Sequence, residues 1–166
     1  PALLDSDGDG GSPGGTPVTY TPVDYDPLGG DGEHPEEVAF IADGDVTTAW
    51  STEAYNGVNF TGTKDGVGLR LRFAVPVRVT GVTITTSTPG ITVRILGAGA
   101  DEQTPPTDRP VLVADSPLTD EVTTIPVDNA EPQREIVLWV TSLVDVSDGK
   151  YRAKFGQVEV LGAANS

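Results

Sequence analysis

The residues best suited by type and spacing to carry chemistry lie in one short stretch, Ala39–Thr52, with the sequence AFIADGDVTTAWST. It begins apolar, turns at Asp43-Gly44-Asp45 and closes on Trp50. Asp-Gly pairs favour turns because Gly accepts positive φ and Asp hydrogen-bonds to its own backbone. Two carboxylates and two threonines then fall within six residues, just ahead of a large aromatic that can pin the loop to a core. A hard cation such as calcium takes about six to eight oxygens, mixing carboxylates with backbone carbonyls. The same stretch serves equally well without metal, with Asp43 and Asp45 capping turn amides.

A second set of side chains has the chemistry of sugar recognition: Tyr55-Asn56, Asn59-Phe60, Lys64, and Tyr151-Arg152-Ala153-Lys154. Aromatic rings stack on the apolar faces of sugars, amides and cations hydrogen-bond hydroxyls, and Arg and Lys pair with carboxylates. The chain has ten basic against twenty-five acidic side chains, a net charge of −15, so its cations stand out. From this set the candidate ligand-binding residues are Tyr55, Asn56, Phe60, Lys64, Tyr151 and Arg152. Each also reads as ordinary surface, and Phe60 as core.

Other chemistries find little support. His34 is the only histidine and sits in an acidic Gly/Pro stretch with no nucleophile-elbow motif, so a Ser/His/Asp site has nothing to build on. No pair of acids is singled out for glycoside hydrolysis. Cysteine is absent, which removes thiolate metal sites, disulfides and cysteine nucleophiles. Gly-rich stretches do not precede helices, so phosphate loops drop out. Asp5-Ser-Asp7-Gly-Asp9-Gly10 has the opening of an EF-hand loop, but Thr16 stands where a bidentate acid is needed. Asn59-Phe60-Thr61 matches a glycosylation acceptor. The negative surface disfavours nucleic acid and anionic lipid. No apolar run is long enough to span a bilayer, and the first residues do not read as a signal peptide. Nothing points to an enzyme.

The elements that must position these residues read as strands. Residues 1–16 are rich in Gly, Ser, Pro and Asp and are expected to be a flexible linker. Pro17–Tyr25 predicts a first edge strand interrupted by Pro22. Residues 26–37 predict a loop, and 38–42 a short turn or helix. From residue 67 the apolar period becomes two. Leu69, Leu71 and Phe73 alternate with Arg70 and Arg72, and Val77 and Val79 follow. Val82 and Ile84 fall on the opposite parity, with Gly81 at the switch, which reads as a bulge or bend. Further strands are expected at 91–95, 111–113, 122–127 and 157–161, with a polar loop at 101–110. Residues 136–140 are apolar on both faces and read as a central strand. Trp50 and Trp139 read as core. Helical periodicity and internal repeats are missing, so an all-β sandwich of one domain is expected over 17–162, with a tail at 163–166.

The pattern Asp43-Gly44-Asp45, Thr48, Trp50 resembles the first loop of the discoidin, or coagulation factor 5/8 type C, family. The likeness extends to Phe155-Gly-Gln-Val-Glu-Val-Leu-Gly162 and covers about residues 17–162. It implies a galactose-binding-domain-like jelly-roll β-sandwich, shared with many carbohydrate-binding modules and mostly non-catalytic. A further resemblance is to the extracytoplasmic C-terminal domain of actinobacterial MviN-type lipid II flippases that carry a pseudokinase. The residues behind it are Ala49-Trp-Ser-Thr-Glu-Ala-Tyr55, Gly62-Thr-Lys-Asp-Gly-Val-Gly-Leu69 and Ile136-Val-Leu-Trp-Val-Thr-Ser-Leu143. It implies a location outside the membrane, tethered by the parent protein, and a partner among cell-wall glycans, lipid-linked precursors or envelope proteins. The family resemblance also implies a structural calcium held by the Phe40 carbonyl, Asp43, Asp45, Thr48, the Gly156 carbonyl and a glutamate. Here Gln157 stands at the glutamate position, and an uncharged amide ligand should bind calcium less well.

Overall fold

The computed structural model describes residues 15–25, 35–45, 47–52, 55, 66–99, 104, 108–127, 131–147 and 149–163. It is an all-β jelly-roll sandwich of two antiparallel sheets that share one long strand. The strands are β1 (Thr16–Val18), β2 (Thr21–Tyr25), β3 (Trp50–Ser51), β4 (Val67–Thr85), β5 (Thr92–Leu96), β6 (Val111–Pro117), β7 (Val122–Pro126), β8 (Gln133–Ser142), β9 (Val144–Ser147), β10 (Lys150–Arg152), β11 (Lys154–Phe155) and β12 (Gln157–Ala163). The first half of β4 lies between β2 and β8, and β5 and β6 extend that sheet in the order β2-β4-β8-β5-β6. Its second half lies between β12 and β7, in a sheet ordered β1-β12-β4-β7. Two short ribbons, β9–β10 and β3–β11, complete the described strands.

Where β4 passes from one sheet to the other, Arg72 still faces Glu135 but the next paired residue is Val77, opposite Gln133. Phe73–Pro76 therefore bulge out opposite the single residue Arg134. A second bulge is at Thr80, since Val79 pairs with Gly162 and Gly81 with Leu161. The parity switch expected at Gly81 is thus real, and the extra residue is its neighbour. The two predicted strands around it are one strand.

Alternation makes the core. Val67, Leu69, Leu71, Val82 and Ile84 of β4 pack with Ile136, Leu138 and Val140 of β8, all fully buried. Val137 and Trp139 point the other way into a smaller cluster with Tyr25 and Leu96, so β8 is buried on both faces as its sequence predicts. Trp139 meets Tyr25 edge-on at 5.7 Å. Trp50 is fully buried against Phe155, with ring centres 5.5 Å apart, so both tryptophans are core residues.

Several expectations need correction. Pro22 does not interrupt a strand: β2 pairs only with β4, and an edge strand tolerates a residue without an N–H. Residues 35–37 are not loop but the start of a 3₁₀ helix, Pro35–Ala42. Proline suits a first helical turn, and Glu36 and Glu37 complement its positive end. The linker boundary is one residue late, because Thr16 already pairs with Gly162. The strand from Val111 runs on to Pro117. Tyr151, Arg152 and Lys154 lie in the short strands β10 and β11, which the sequence did not predict. The stretch predicted as a polar loop at 101–110 contains a buried cation, Arg109. The linker's residues 1–14, the tail's 164–166, His34 and Asn59 lie outside the described residues.

Candidate functional site

The Asp43–Thr48 turn forms as its residue types dictate. Gly44 takes φ of 74°, open only to glycine without strain. The Asp43 carboxylate accepts the Asp45 N–H at 2.9 Å and the Thr48 hydroxyl at 2.6 Å. The Asp45 carboxylate accepts the Thr47 N–H at 2.9 Å and its hydroxyl at 2.6 Å. These bonds favour the ionised acids, so both aspartates titrate below the usual carboxylate value of 3.8, Asp43 mainly through Thr48 and Asp45 mainly through Thr47. Glu37 accepts the Ser51 N–H at 3.0 Å and ties the 3₁₀ helix to β3.

All six residues of the implied calcium set meet here, with Gln157 at their centre. Its amide nitrogen donates to the Phe40 carbonyl at 2.9 Å, to Asp43 Oδ1 at 2.9 Å and to the Asp45 carbonyl at 3.2 Å. Its amide oxygen accepts the Gly44 N–H at 3.1 Å. The Thr48 N–H donates to the Asp45 carbonyl at 3.2 Å, and the Gly156 backbone lies beside the Thr48 carbonyl. This arrangement does not fit a cation. Calcium would require oxygens about 2.3–2.6 Å away with the glutamine oxygen turned inward. Here a nitrogen bearing protons faces the three oxygens.

The predicted ligand residues divide. Asn56, Phe60 and Lys64 lie outside the described residues. Tyr55 and Tyr151 come together through reciprocal backbone bonds, Tyr55 N to Tyr151 O at 2.9 Å and Tyr151 N to Tyr55 O at 2.8 Å. Both rings are half-buried and pack on the main core. Arg152 donates to the Ser51 hydroxyl at 3.0 Å and to the Thr52 carbonyl at 3.2 Å. Its guanidinium therefore stitches the β3 edge. The three residues are neighbours, and the tyrosine backbones and Arg152 Nη1 are engaged within the fold.

A different cleft brings together three arginines, Arg72 and Arg134 exposed and Arg70 buried. It has a volume of about 410 Å³ and lies where β4 bulges between the sheets. Arg70, Arg72 and Phe73–Pro76 line one side, Ala98 and Gly99 after β5 another, and Arg134 and Glu135 of β8 the third. Arg72 and Arg134 are exposed, while Phe73 is half-buried. Arg134 donates to the Gly99 carbonyl at 3.4 Å, which leans it over the cleft wall. At the base, buried Glu135 accepts from Arg70 at 2.9 Å and from Arg109 at 2.6 Å. Arg109 is further held by the Tyr25 hydroxyl at 3.1 Å, the Thr104 carbonyl at 3.1 Å and the Gly97 carbonyl at 3.2 Å. Its guanidinium carbon sits 4.9 Å from the Tyr25 ring centre. The Tyr25 hydroxyl donates to the Thr104 carbonyl, and burial raises its pKa.

Chemically, this is a rigid cationic surface. Arg70, Arg72 and Arg134 line it together with one carboxylate, Glu135, whose two oxygens are taken by Arg70 and Arg109. Such a surface can bind planar anions and hydroxyls bidentately. Both Glu135 oxygens are held by buried guanidiniums, which fixes the side chain in place. Sequence reasoning missed it. The only signal was the exposed-parity pair Arg70 and Arg72, which reads as an ordinary solvated strand face.

No family model matches the chain. Among solved structures it is similar to a module described as CpGH89CBM32-6, produced by Clostridium perfringens, with a TM-score of 0.60 and 10% identity over 87% of this chain and 94% of that one. It is similar to the CBM32 of AlyQ in complex with 4,5-unsaturated mannuronic acid, with a TM-score of 0.58 and 14% identity over 89% and 99%. A chitosan-binding module from a Paenibacillus sp. IK-5 chitosanase/glucanase gives 0.59 and 16% over 87% and 96%. These likenesses establish the fold shared with carbohydrate-binding modules.

Proposed function

We propose that this domain is a non-catalytic glycan-binding module that prefers saccharides bearing carboxylates. The observation that carries the reading is the arginine-lined cleft on a molecule of net charge −15. An acidic protein that concentrates three guanidiniums around one cleft, beside an aromatic ring, has the chemistry for a sugar acid: bidentate pairing for the carboxylate and an apolar face for the ring. The fold supports this reading, because the similar modules bind sugars and one is complexed with a uronic acid. The resemblance to the flippase domain supports a cell-wall ligand, a peptidoglycan fragment or its lipid-linked precursor, met outside the membrane by a tethered parent protein. Peptidoglycan also carries carboxylates. No described helix is long and apolar enough to cross a membrane.

The test is calorimetric titration of the domain with soluble peptidoglycan fragments, and with neutral oligosaccharides of equal length. Arg72→Ala and Arg134→Ala each remove one exposed guanidinium and should weaken binding of the carboxylated ligand about tenfold or more, since a hydrogen bond to a charged group contributes about 1.5–3 kcal/mol. Unchanged affinity in both variants defeats the cleft as the site. Retention of no glycan, together with in-cell crosslinks to envelope proteins, would favour a protein-interaction domain.

A further inference from the structure

We infer that the Gln157 side chain takes the place of a structural cation, so that the Phe40–Thr48 loop is closed by an amide and not by calcium. The inference is independent of the glycan reading. Three oxygens converge on one point from separate parts of the loop: the Phe40 carbonyl, Asp43 Oδ1 and the Asp45 carbonyl. Converging oxygens repel one another, and something positive must lie between them. In this chain it is the NH₂ group of Gln157, with two protons serving three acceptors, one of them shared.

The orientation of that amide is fixed by its surroundings. Turned over, its oxygen would face three oxygens and its NH₂ would face the Gly44 N–H, so all four bonds would be lost. The distances of 2.9–3.2 Å are those of hydrogen bonds and leave the oxygens wider than a calcium shell. Two further carboxylate oxygens around this centre already have donors. Asp43 Oδ2 takes the Thr48 hydroxyl, and Asp45 Oδ1 takes Thr47. A cation entering here would have to expel the amide and forfeit its four bonds. Gln157 is also the first residue of β12, paired with Thr85 of β4, so the amide reaches from the sheet into the loop. A side chain on a paired strand is a rigid post, so the staple needs no ligand to form.

Two variants and one ion test this. Thermal unfolding of the wild-type domain is followed in excess calcium chloride and in excess chelator. Gln157→Glu and Gln157→Ala are treated identically, with calorimetric titration of calcium into each. The expectation for wild type is one melting temperature in both conditions and no heat of calcium binding. Gln157→Glu should melt about 4 °C or more lower in chelator, because a carboxylate then faces three oxygens, and should recover in calcium as the cation refills the centre. Gln157→Ala should melt lower in both conditions. A calcium-dependent rise in the wild-type melting temperature overturns the inference. So does a Gln157→Glu variant as stable as wild type in chelator, because the amide would then contribute nothing.

Discussion

Replacing Glu135 with glutamine isolates the charge at the base of the arginine cleft, because the two side chains have nearly the same shape. Glu135 is buried, and its two oxygens accept from Arg70 at 2.9 Å and Arg109 at 2.6 Å, whose side chains are 7% and 0% exposed. The substitution removes the negative charge between two buried guanidiniums and turns an NH₂ group toward one of them. Breaking a buried ion pair by neutralising one partner costs about 3–5 kcal/mol, most of it from the charge left uncompensated. Arg109 has other acceptors in Thr104 and Gly97, which favours the lower half of that range. Urea unfolding followed by tryptophan fluorescence reads the cost directly, as a lower midpoint at unchanged slope. At roughly 2–4 °C per kcal/mol for a domain of this size, the melting temperature should fall by about 6–15 °C. The exposed pair Arg94–Asp115, with side chains 36% and 46% exposed, is the internal control. Asp115→Asn should cost no more than about 1 kcal/mol. A Glu135→Gln variant within about 1 kcal/mol of wild type would refute the reasoning, since it would mean that water reaches the triad.

Acid should loosen the molecule through the Asp43–Thr48 loop. Both aspartates titrate lower when folded than the ordinary 3.8, so their contribution is fully present above that value and is lost as pH falls through the folded values. Melting temperature measured from pH 7 to pH 2 should therefore hold until about pH 4 and then decline, and Asp43→Asn should flatten the decline. Trp50→Ala should cost about 3–5 kcal/mol in chemical unfolding, because a fully buried indole against Phe155 leaves a large cavity.

Much of the fold was legible because strand periodicity is local. Residues Leu69–Arg72 alternate in sequence, and Leu69 and Leu71 enter the main core while Arg70 meets Glu135, and 136–140, apolar throughout, occupy the centre of a sheet with both faces covered. What failed was long-range. Whether Pro22 ends a strand depends on which edge of the strand is free, and that follows from sheet order rather than from Pro22. Short ribbons such as β3–β11 and β9–β10 have two to four residues per strand, too few to show a period. They exist because the sandwich brings their edges together.

The two loops with recognisable chemistry divide along the same line. The Asp43–Thr48 turn was readable because its donors and acceptors lie within six residues of one another. Gln157, more than a hundred residues away, joins that turn in the sequence only through the family resemblance, and which way its amide faces is set by the folded loop. The arginine cleft was invisible for the same reason. Arg70 and Arg72 look like the solvated face of a strand, and Arg109 and Arg134 lie in separate segments. They become one surface only because β4 inserts Phe73–Pro76 opposite Arg134, and because Glu135 draws Arg70 and Arg109 to its two oxygens. A single acidic residue, directed inward by strand register, thereby keeps two guanidiniums buried and leaves Arg72 and Arg134 as the exposed pair. The place of the cleft is set by where β4 breaks its pairing, and that bulge leaves no signature in the sequence beyond a proline and an interrupted alternation.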